Sequence, residues 1–242
     1  GATITETLLN ATTEPIVVTY QITPTINGCT GTAYPVAVTV NPNSVITSPS
    51  TANWCNNVPN TYNIASSSAA PVPSFTWSRA SVTGITPVTG SGSGASITET
   101  LTNSTTDPVV VTYLITPTVN GCAGITKTVS VTVNPTSVIT SPDAASWCNN
   151  IANTYNITSS STTPTPSYAW SRAAVPGITP ATGSGSGAAI TETLVNSTTS
   201  PVVVTYVITP TVNSCNGTVK NVSVTVNPTP HLMNAAPAPI AI

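Results

Sequence analysis

The chain contains very few charged residues. Its 242 residues include 4 Lys or Arg and 6 Asp or Glu, which is 4% charged with a net charge of −2, whereas soluble domains usually carry about 25%. Because there is no basic run, neither nucleic acid nor an anionic membrane surface is expected as a partner. No apolar run approaches the roughly 20 residues needed to cross a bilayer, so no membrane span is predicted.

Side chains that carry catalysis or bind metals are equally scarce. The one histidine, His231, precludes a repeated Ser-His-Asp or Cys-His arrangement. Asp107 and Asp143 are isolated, and paired cysteines without a nearby histidine or carboxylate offer too few ligands for zinc. The glycine-rich residues 90–94 lack the helix and lysine of a phosphate-binding loop and are predicted to form a flexible loop. We therefore predict no enzyme activity and no cofactor.

The dominant feature that is present is a long internal repeat. Residues 97–122 recur as residues 4–29 and 190–215, at a constant offset of 93 residues. A fixed period of this length indicates an array of similar domains, and 93 residues fit a small β-sandwich. The predicted segments are the C-terminal half of a repeat at 1–42, complete repeats at 43–135 and 136–228, and the start of a following repeat or a tail at 229–242. We expect the chain to be a window from a longer array.

Within one repeat the pattern predicts short strands and no helix. Thr and Val favour strands, and Pro, Asn, Ser and Gly mark turns between them. Seven strands are predicted in the first complete repeat, at residues 45–48, 61–66, 74–79, 85–89, 96–102, 109–118 and 126–133. The predicted fold is all-β, with tandem Ig-like antiparallel β-sandwich domains. On the sixth strand, alternation places Val111 and Tyr113 in the core and Leu114 towards solvent.

The cysteine count follows the repeat. Each complete repeat holds two, which predicts disulfides Cys55–Cys122 and Cys148–Cys215, with the partner of Cys29 outside the chain. Each bridge would close a loop of 67 residues. In the chain-entropy model such a loop contributes about 4 kcal/mol, and disulfides indicate an oxidising, extracellular location. Free buried thiols are the alternative interpretation.

The only two arginines, Arg79 and Arg172, stand at the same repeat position. Glu99 and Glu192 also correspond, and both share the parity of strand residues that point inward. This predicts structural ion pairs Arg79–Glu99 and Arg172–Glu192, which would favour fold specificity more than stability. The alternative is a bulge that turns each glutamate to solvent.

Two kinds of residue are candidates for involvement with sugars: asparagines that could carry glycans and tryptophans that could stack on sugar rings. Asn10, Asn103 and Asn196 begin Asn-x-Ser/Thr sequences in the turn before the sixth strand, so they are candidate glycosylation sites in an exposed turn. Trp77 is predicted to pack in the core, whereas Trp54 is the better candidate for partial exposure. An exposed tryptophan would favour sugar binding.

The repeated ITETL, VTY-ITPT-NGC and VTVNP segments, with upstream WCNN and WSR, resemble a known family. They are similar to the PKD-like repeat of large Bacteroidetes cell-surface proteins, including gliding-motility adhesins and surface fibres exported by the type IX pathway. The resemblance covers nearly the whole chain and implies an extracellular, cell-surface location and no site residues. The usual WDFGDG signature of PKD domains is absent, and residues 77–79 stand near its place.

Together these features predict a structural segment of an extracellular fibre or adhesin stalk. Its expected partners are neighbouring repeats of the same chain or filament, with glycans as a further candidate. One alternative is a carbohydrate-binding accessory module of a secreted polysaccharide-degrading enzyme, which needs aligned exposed aromatic rings. Another is a pilin-like subunit that polymerises by strand complementation, in which a second chain completes residues 1–42.

Overall fold

A computed structural model describes residues 3–68 and 70–230 of the chain. All regular structure in these ranges is β, which confirms the predicted all-β class. The chain divides into two compact units, Gly1–Asn134 and Pro135–Ile242. The first unit holds the half repeat and one complete repeat, and the second holds the next complete repeat. Of the predicted segment 229–242, residues 231–242 lie outside the described part.

The half repeat is a two-stranded ribbon with a small hairpin. Its strands are β1 (Ile16–Ile22), β2 (Thr25–Ile26), β3 (Cys29–Thr30) and β4 (Tyr34–Val40). Strands β1 and β4 pair antiparallel from Ile16 opposite Val40 to Ile22 opposite Tyr34.

Each complete repeat contains ten strands. In the first they are β5 (Thr51–Trp54), β6 (Pro59–Asn63), β7 (Ser74–Arg79), β8 (Ile85–Thr86), β9 (Gly90–Ser93), β10 (Ser96–Thr100), β11 (Thr102–Asn103), β12 (Val109–Val119), β13 (Cys122–Ala123) and β14 (Lys127–Val133). In the second they are β15 (Ala144–Trp147), β16 (Ala152–Asn156), β17 (Ser167–Arg172), β18 (Ile178–Thr179), β19 (Gly183–Ser186), β20 (Ala189–Thr193), β21 (Val195–Asn196), β22 (Val202–Val212), β23 (Cys215–Asn216) and β24 (Lys220–Val226).

The ten strands form a sandwich. The main sheet has the order β5-β14-β12-β7-β9, and β13 extends β12 as a hairpin. The opposite layer consists of the pairs β6–β10 and β8–β11. All pairings are antiparallel except β5 with β14, which is parallel. The second complete repeat has the same strand order.

The core lies between the two layers and follows the predicted alternation. Val111, Tyr113 and Ile115 on β12 are fully buried, whereas Leu114 between them is 49% exposed. Val129 and Val131 on β14 complete this inward row. Burial of each aliphatic side chain stabilises the fold by about 1.5–3 kcal/mol, so this row is a large part of the apolar driving force.

Three strands of the first complete repeat were not predicted, namely β5, β9 and the two-residue strand β13, and one predicted strand is not formed. The parallel strand β5 alternates between exposed and inward residues but is only 4 residues long, and its partner β14 lies far away in sequence. Strand β9 consists of Gly and Ser, which have low strand propensity. Residues 45–48 form only an isolated bridge between Ile46 and Ser66.

The half repeat presents an apolar face that is only partly covered within the described residues, where Ile4, Glu6 and Leu8 lie beside it. Ile22 is 43% exposed and Val38 is 39% exposed, whereas their counterparts Ile115 and Val131 are fully buried. The apolar alternation that is buried in the core of a complete repeat is therefore partly exposed in the half repeat.

Candidate functional site

A charged cluster lies at the centre of each complete repeat. Arg79 ends β7 in the main sheet and Glu99 lies on β10 in the opposite layer. Arg79 Nε lies 3.0 Å from Glu99 Oε2 and Nη2 lies 3.1 Å from Oε1, which is a bidentate pair. In the second repeat Arg172 and Glu192 meet at 3.1 and 3.2 Å. The structure thus brings both predicted pairs together, and neither glutamate is turned to solvent by a bulge.

Further hydrogen bonds satisfy the buried guanidinium. Arg79 Nη1 donates to the carbonyl of Val88 at 3.3 Å, and Nη2 donates to that of Pro87 at 3.0 Å. Tyr113 donates its hydroxyl hydrogen to Glu99 Oε2. A buried charge is tolerated only when it is paired and hydrogen-bonded, and both conditions hold here. The cluster therefore connects the two layers of the sandwich to each other and to the loop after β8.

The pKa values of the cluster reflect this burial. Burial raises the pKa of Tyr113 above its usual range, and the hydrogen bond to Glu99 and its negative charge raise it further. Burial alone would lower the pKa of Arg79, but the hydrogen bond and charge of Glu99 outweigh it, and the pKa is raised. Both groups therefore keep their protons at any ordinary pH, which suits a structural role and not acid–base catalysis.

The tyrosine of the cluster lies between two tryptophans. The Tyr113 ring centroid is 5.6 Å from that of Trp54 and 5.7 Å from that of Trp77. Trp54 is only 3% exposed, as is its counterpart Trp147. Neither offers the exposed ring that a sugar-stacking platform requires.

The prediction of a flexible loop at residues 90–94 is wrong for most of that segment. Gly90–Ser93 is strand β9, and Gly92 pairs with Trp77 of β7. A Cβ atom at Gly92 would lie 2.8 Å from Cζ2 of the Trp77 ring, and one at Gly90 would overlap the Glu99 carboxylate. The glycines at every second position therefore leave room for the indole and the carboxylate. The Gly-x-Gly spacing was the signal, because side chains alternate between faces with period two.

The expectation of exposed glycan acceptors in the turn before the sixth strand is also wrong. Asn10, Asn103 and Asn196 are 3–4% exposed. Asn103 Nδ2 donates to the carbonyls of Asp107 at 2.8 Å and Val133 at 2.9 Å, so both amide hydrogens are used. A sugar on Nδ2 would replace one of these hydrogens and would need space in a buried site. Asn10 and Asn196 make the same two kinds of bond.

The two cysteines of a repeat lie at opposite ends of the sandwich. Cys55 follows Trp54, which lies opposite Val133 and hence beside the Val109 end of β12. Cys122 lies opposite Val119, at the other end of β12. Ten residues of strand separate these ends, or about 33 Å, whereas a disulfide needs Cα atoms within about 7 Å. The predicted bridge Cys55–Cys122 is therefore not formed.

The same register separates Cys148 from Cys215, so the second predicted bridge is not formed either. Cys29, Cys122 and Cys148 are free thiols and are exposed. Cys55 and Cys215 are disulfide-bonded. The count of two cysteines per repeat was informative, but it does not report which end of the sandwich each one occupies.

Two other kinds of site are absent from residues 3–68 and 70–230. This part of the chain contains no cluster of three or more His, Cys, Asp or Glu side chains arranged to hold a metal ion. None of its elements is a helix with the length and apolar character for crossing a membrane.

Two tandem sandwiches with the same internal design define a class of Ig-like repeat domains. A family model described as PKD-like domain matches residues 1–44, 52–137 and 145–230. The chain therefore belongs to the PKD-like domain family. No curated protein matches the sequence significantly.

Solved structures with a similar arrangement include tandem Ig and fibronectin domains. The FN1–FN3 domains of chicken CNTN1 show 7% identity and a TM-score of 0.40, with 86% of this chain and 74% of that chain covered. Sidekick-1 immunoglobulin domains 1–4 show 11% identity and a TM-score of 0.35, with 88% and 68% covered. At these values the likeness carries no argument about function.

Proposed function

We propose that this chain is a load-bearing segment of an extracellular stalk or fibre on the surface of a Bacteroidetes bacterium. Family membership and the presence of disulfide-bonded cysteines support an extracellular location. PKD-like and Ig-like repeat domains are typically non-catalytic, and the buried polar groups of the charged cluster are all engaged in holding the two layers together.

The observation that carries the proposal is the path of the chain through one repeat. The chain starts beside the β12–β13 hairpin, where Ile125 N donates to the carbonyl of Ser44 at 3.2 Å. It finishes at the other end, where Asn134 N donates to the carbonyl of Trp54 at 2.9 Å. Each repeat therefore adds the length of β12, about 36 Å, between its start and its finish. A chain threaded in this way gains reach with every repeat.

The composition suits such a role. With 4% charged residues, the polar groups of the chain are mainly hydroxyls and amides. We expect neighbouring repeats to be the main partners, and the short linkers with proline at residues 42 and 135 restrict the backbone before each proline to extended conformations.

Electron microscopy and antibody labelling of cells that carry the protein test the proposal. Antibodies raised against residues 43–228 should label intact cells, and the labelled material should show filaments with beads about 36 Å apart. Protease treatment of intact cells should remove the label. Labelling that appears only after lysis, or dispersed globules without filaments, would contradict the proposed stalk.

A further inference from the structure

The segment that enters each complete repeat passes from one layer of the sandwich to the other. In the first repeat, Ile46 forms an antiparallel bridge with Ser66, which follows β6 of the opposite layer along the chain. From Thr51 onwards, the chain pairs in parallel with β14 of the main sheet. We call residues 46–50 the crossover. Because its backbone leaves one ladder before it joins the other, its carbonyls need donors from elsewhere.

A lysine of the main sheet supplies two of these donors' bonds. Lys127 begins β14, and its Nζ donates to the carbonyl of Ser48 and, at 3.4 Å, to that of Ile46. Further along β14, Ser130 N donates to the carbonyl of Ser50 at 2.9 Å. Hydrogen bonds with a charged donor are stronger than those between neutral groups, so the lysine holds the crossover firmly against the main sheet.

A tyrosine of the opposite layer meets the crossover from the other side. Tyr62 on β6 is buried, and its hydroxyl donates to the carbonyl of Pro49 and lies 2.9 Å from Ser48 Oγ. The crossover is therefore fastened to both layers at once, by the lysine and by the tyrosine.

The second repeat has the same arrangement at the corresponding positions. Lys220 Nζ donates to the carbonyls of Ser141 at 2.5 Å and Ile139 at 3.5 Å. Tyr155 donates its hydroxyl hydrogen to the carbonyl of Pro142. The two lysines of the chain are thus used in the same way, in a protein with only four basic residues.

The second lysine also has a carboxylate beside it. Lys220 Nζ lies 2.6 Å from Oδ1 of Asp143, whose side chain is 86% exposed. The first repeat has Ser50 at this position. Because an exposed ion pair contributes little, we assign the main effect to the carbonyl contacts, which both repeats share.

A pull on the two ends of a repeat acts along the crossover. Ser44 lies beside the β12–β13 hairpin, where its carbonyl accepts from Ile125 N, and Asn134 lies at the far end of β14, where its N donates to Trp54. Such a pull slides the entering segment along β14, because β5 and β14 are parallel. The bonds between them are then loaded together, whereas a hairpin pulled at its open end loses its bonds one after another.

We propose that the lysine and tyrosine contacts at the crossover determine the force at which a complete repeat unfolds. We call them the crossover contacts, made by Lys127 and Tyr62 in the first repeat and by Lys220 and Tyr155 in the second. While they hold, the entering segment stays on the sandwich and the core remains covered. Their use in a stalk rests on the proposed function, but the resistance itself is a property of each repeat.

Force-clamp measurements on the chain of residues 1–242 test this inference. The chain is held by its two termini in optical tweezers under reducing conditions, so that no disulfide restricts its extension. Each complete repeat should unfold in one step of roughly 250–300 Å, since about 90 residues are released.

Lys127→Met should raise the unfolding rate of one step at a fixed force at least about tenfold, or about 1.4 kcal/mol in the barrier. Tyr62→Phe, which removes only a hydroxyl, should raise it at least about threefold. In both variants the other step should keep the wild-type rate. Lys220→Met should have the same effect on the second repeat.

A matched core variant separates the crossover contacts from ordinary stability. Ile97 is buried on β10, a strand at neither end of the repeat, so Ile97→Val should lower the urea midpoint but raise the unfolding rate under force by less than about twofold. Wild-type rates for both steps in Lys127→Met would overturn the proposal. An effect no larger than that of Ile97→Val, at an equal loss in urea, would overturn it too.

Tyr62→Phe keeps the proposal open to refutation if Lys127→Met does not fold, because the same two comparisons apply to it. The measurement uses purified chain and no cell labelling. A failed stalk and a failed mechanical role of the crossover are therefore separate results.

Discussion

Loss of Glu99 should destabilise the first complete repeat more than loss of the whole ion pair. In Glu99→Ala the Arg79 guanidinium stays in place with its side chain 0% exposed, but without its carboxylate. Tyr113 also loses the acceptor of its hydroxyl. In the double variant Arg79→Met, Glu99→Leu, no buried charge remains, although the two loop carbonyls lose a donor and the Tyr113 hydroxyl again loses its acceptor.

The magnitude follows from the cost of an unpaired buried charge. Breaking a buried pair by removing one partner costs about 3–5 kcal/mol, whereas apolar replacement of both partners is often close to neutral. For a domain of this size, 1 kcal/mol corresponds to about 4–8 °C in melting temperature. We therefore expect Glu99→Ala to lower the melting temperature of its repeat by at least about 12 °C, and the double variant to lower it by much less.

Scanning calorimetry under reducing conditions measures this with an internal reference. The second repeat retains Arg172 and Glu192, so its transition should stay at the wild-type temperature while that of the first moves down. In the matched variant Glu192→Ala, the transition of the second repeat should instead move to lower temperature. A single transition in Glu99→Ala, shifted by less than about 3 °C, would refute the view that the pair holds the two layers together.

Three further predictions concern groups around the same core. Burial raises the pKa of Tyr113 and Tyr206, whereas an unfolded tyrosine ionises near pH 10, so the free energy of unfolding should fall by about 1.4 kcal/mol per tyrosine at pH 11. Urea titrations at pH 9 and pH 11 should show a smaller loss in the variant with both tyrosines replaced by Phe. An equal loss in that variant would contradict the prediction. Asn103→Ala should cost about 2–3 kcal/mol in urea unfolding, because the buried carbonyl of Val133 and the partly buried carbonyl of Asp107 lose their donor. The exposed Asn156→Ala should cost less than about 0.5 kcal/mol. Gly92→Ala should cost about 1–3 kcal/mol and alter tryptophan fluorescence, since its Cβ would press on the facing indole, and an unchanged spectrum and midpoint would exclude that contact.

The repeats explain why much of the core was predictable. Copies of one strand vary at solvent positions and stay apolar at core positions, so the inward row with Val111 and Tyr113 follows from the sequence alone. The same parity argument suggested that Glu99 points inward, and a buried glutamate requires a basic partner, for which Arg79 recurs with the repeat as Glu99 does. Local periodicity is sufficient for such inferences because it depends on the backbone alone.

The sequons and the glycine segment were interpreted from local composition, and there the tertiary structure differs. Asn103 looked like an exposed turn residue, but its amide reaches the carbonyl of Val133, thirty residues away, and that contact buries it. Gly90–Ser93 looked flexible, but it pairs with β7 because its glycines admit the ring of Trp77. Both outcomes depend on residues distant in sequence.

By itself, the sequence determined the period of 93 residues, the all-β class and the inward row, because each follows from spacing along a strand or from repetition along the chain. It also made Arg79 and Glu99 candidates for an ion pair, and the tertiary structure decided between that pair and a bulge. Only the tertiary structure decided which ends of the sandwich the cysteines occupy. That depends on β5 pairing in parallel with β14, a long-range register that puts Cys55 at one end and leaves Cys122 at the other. The number and spacing of the cysteines along the chain do not show where each one lies in the fold, and a disulfide requires its two sulfur atoms to be in contact.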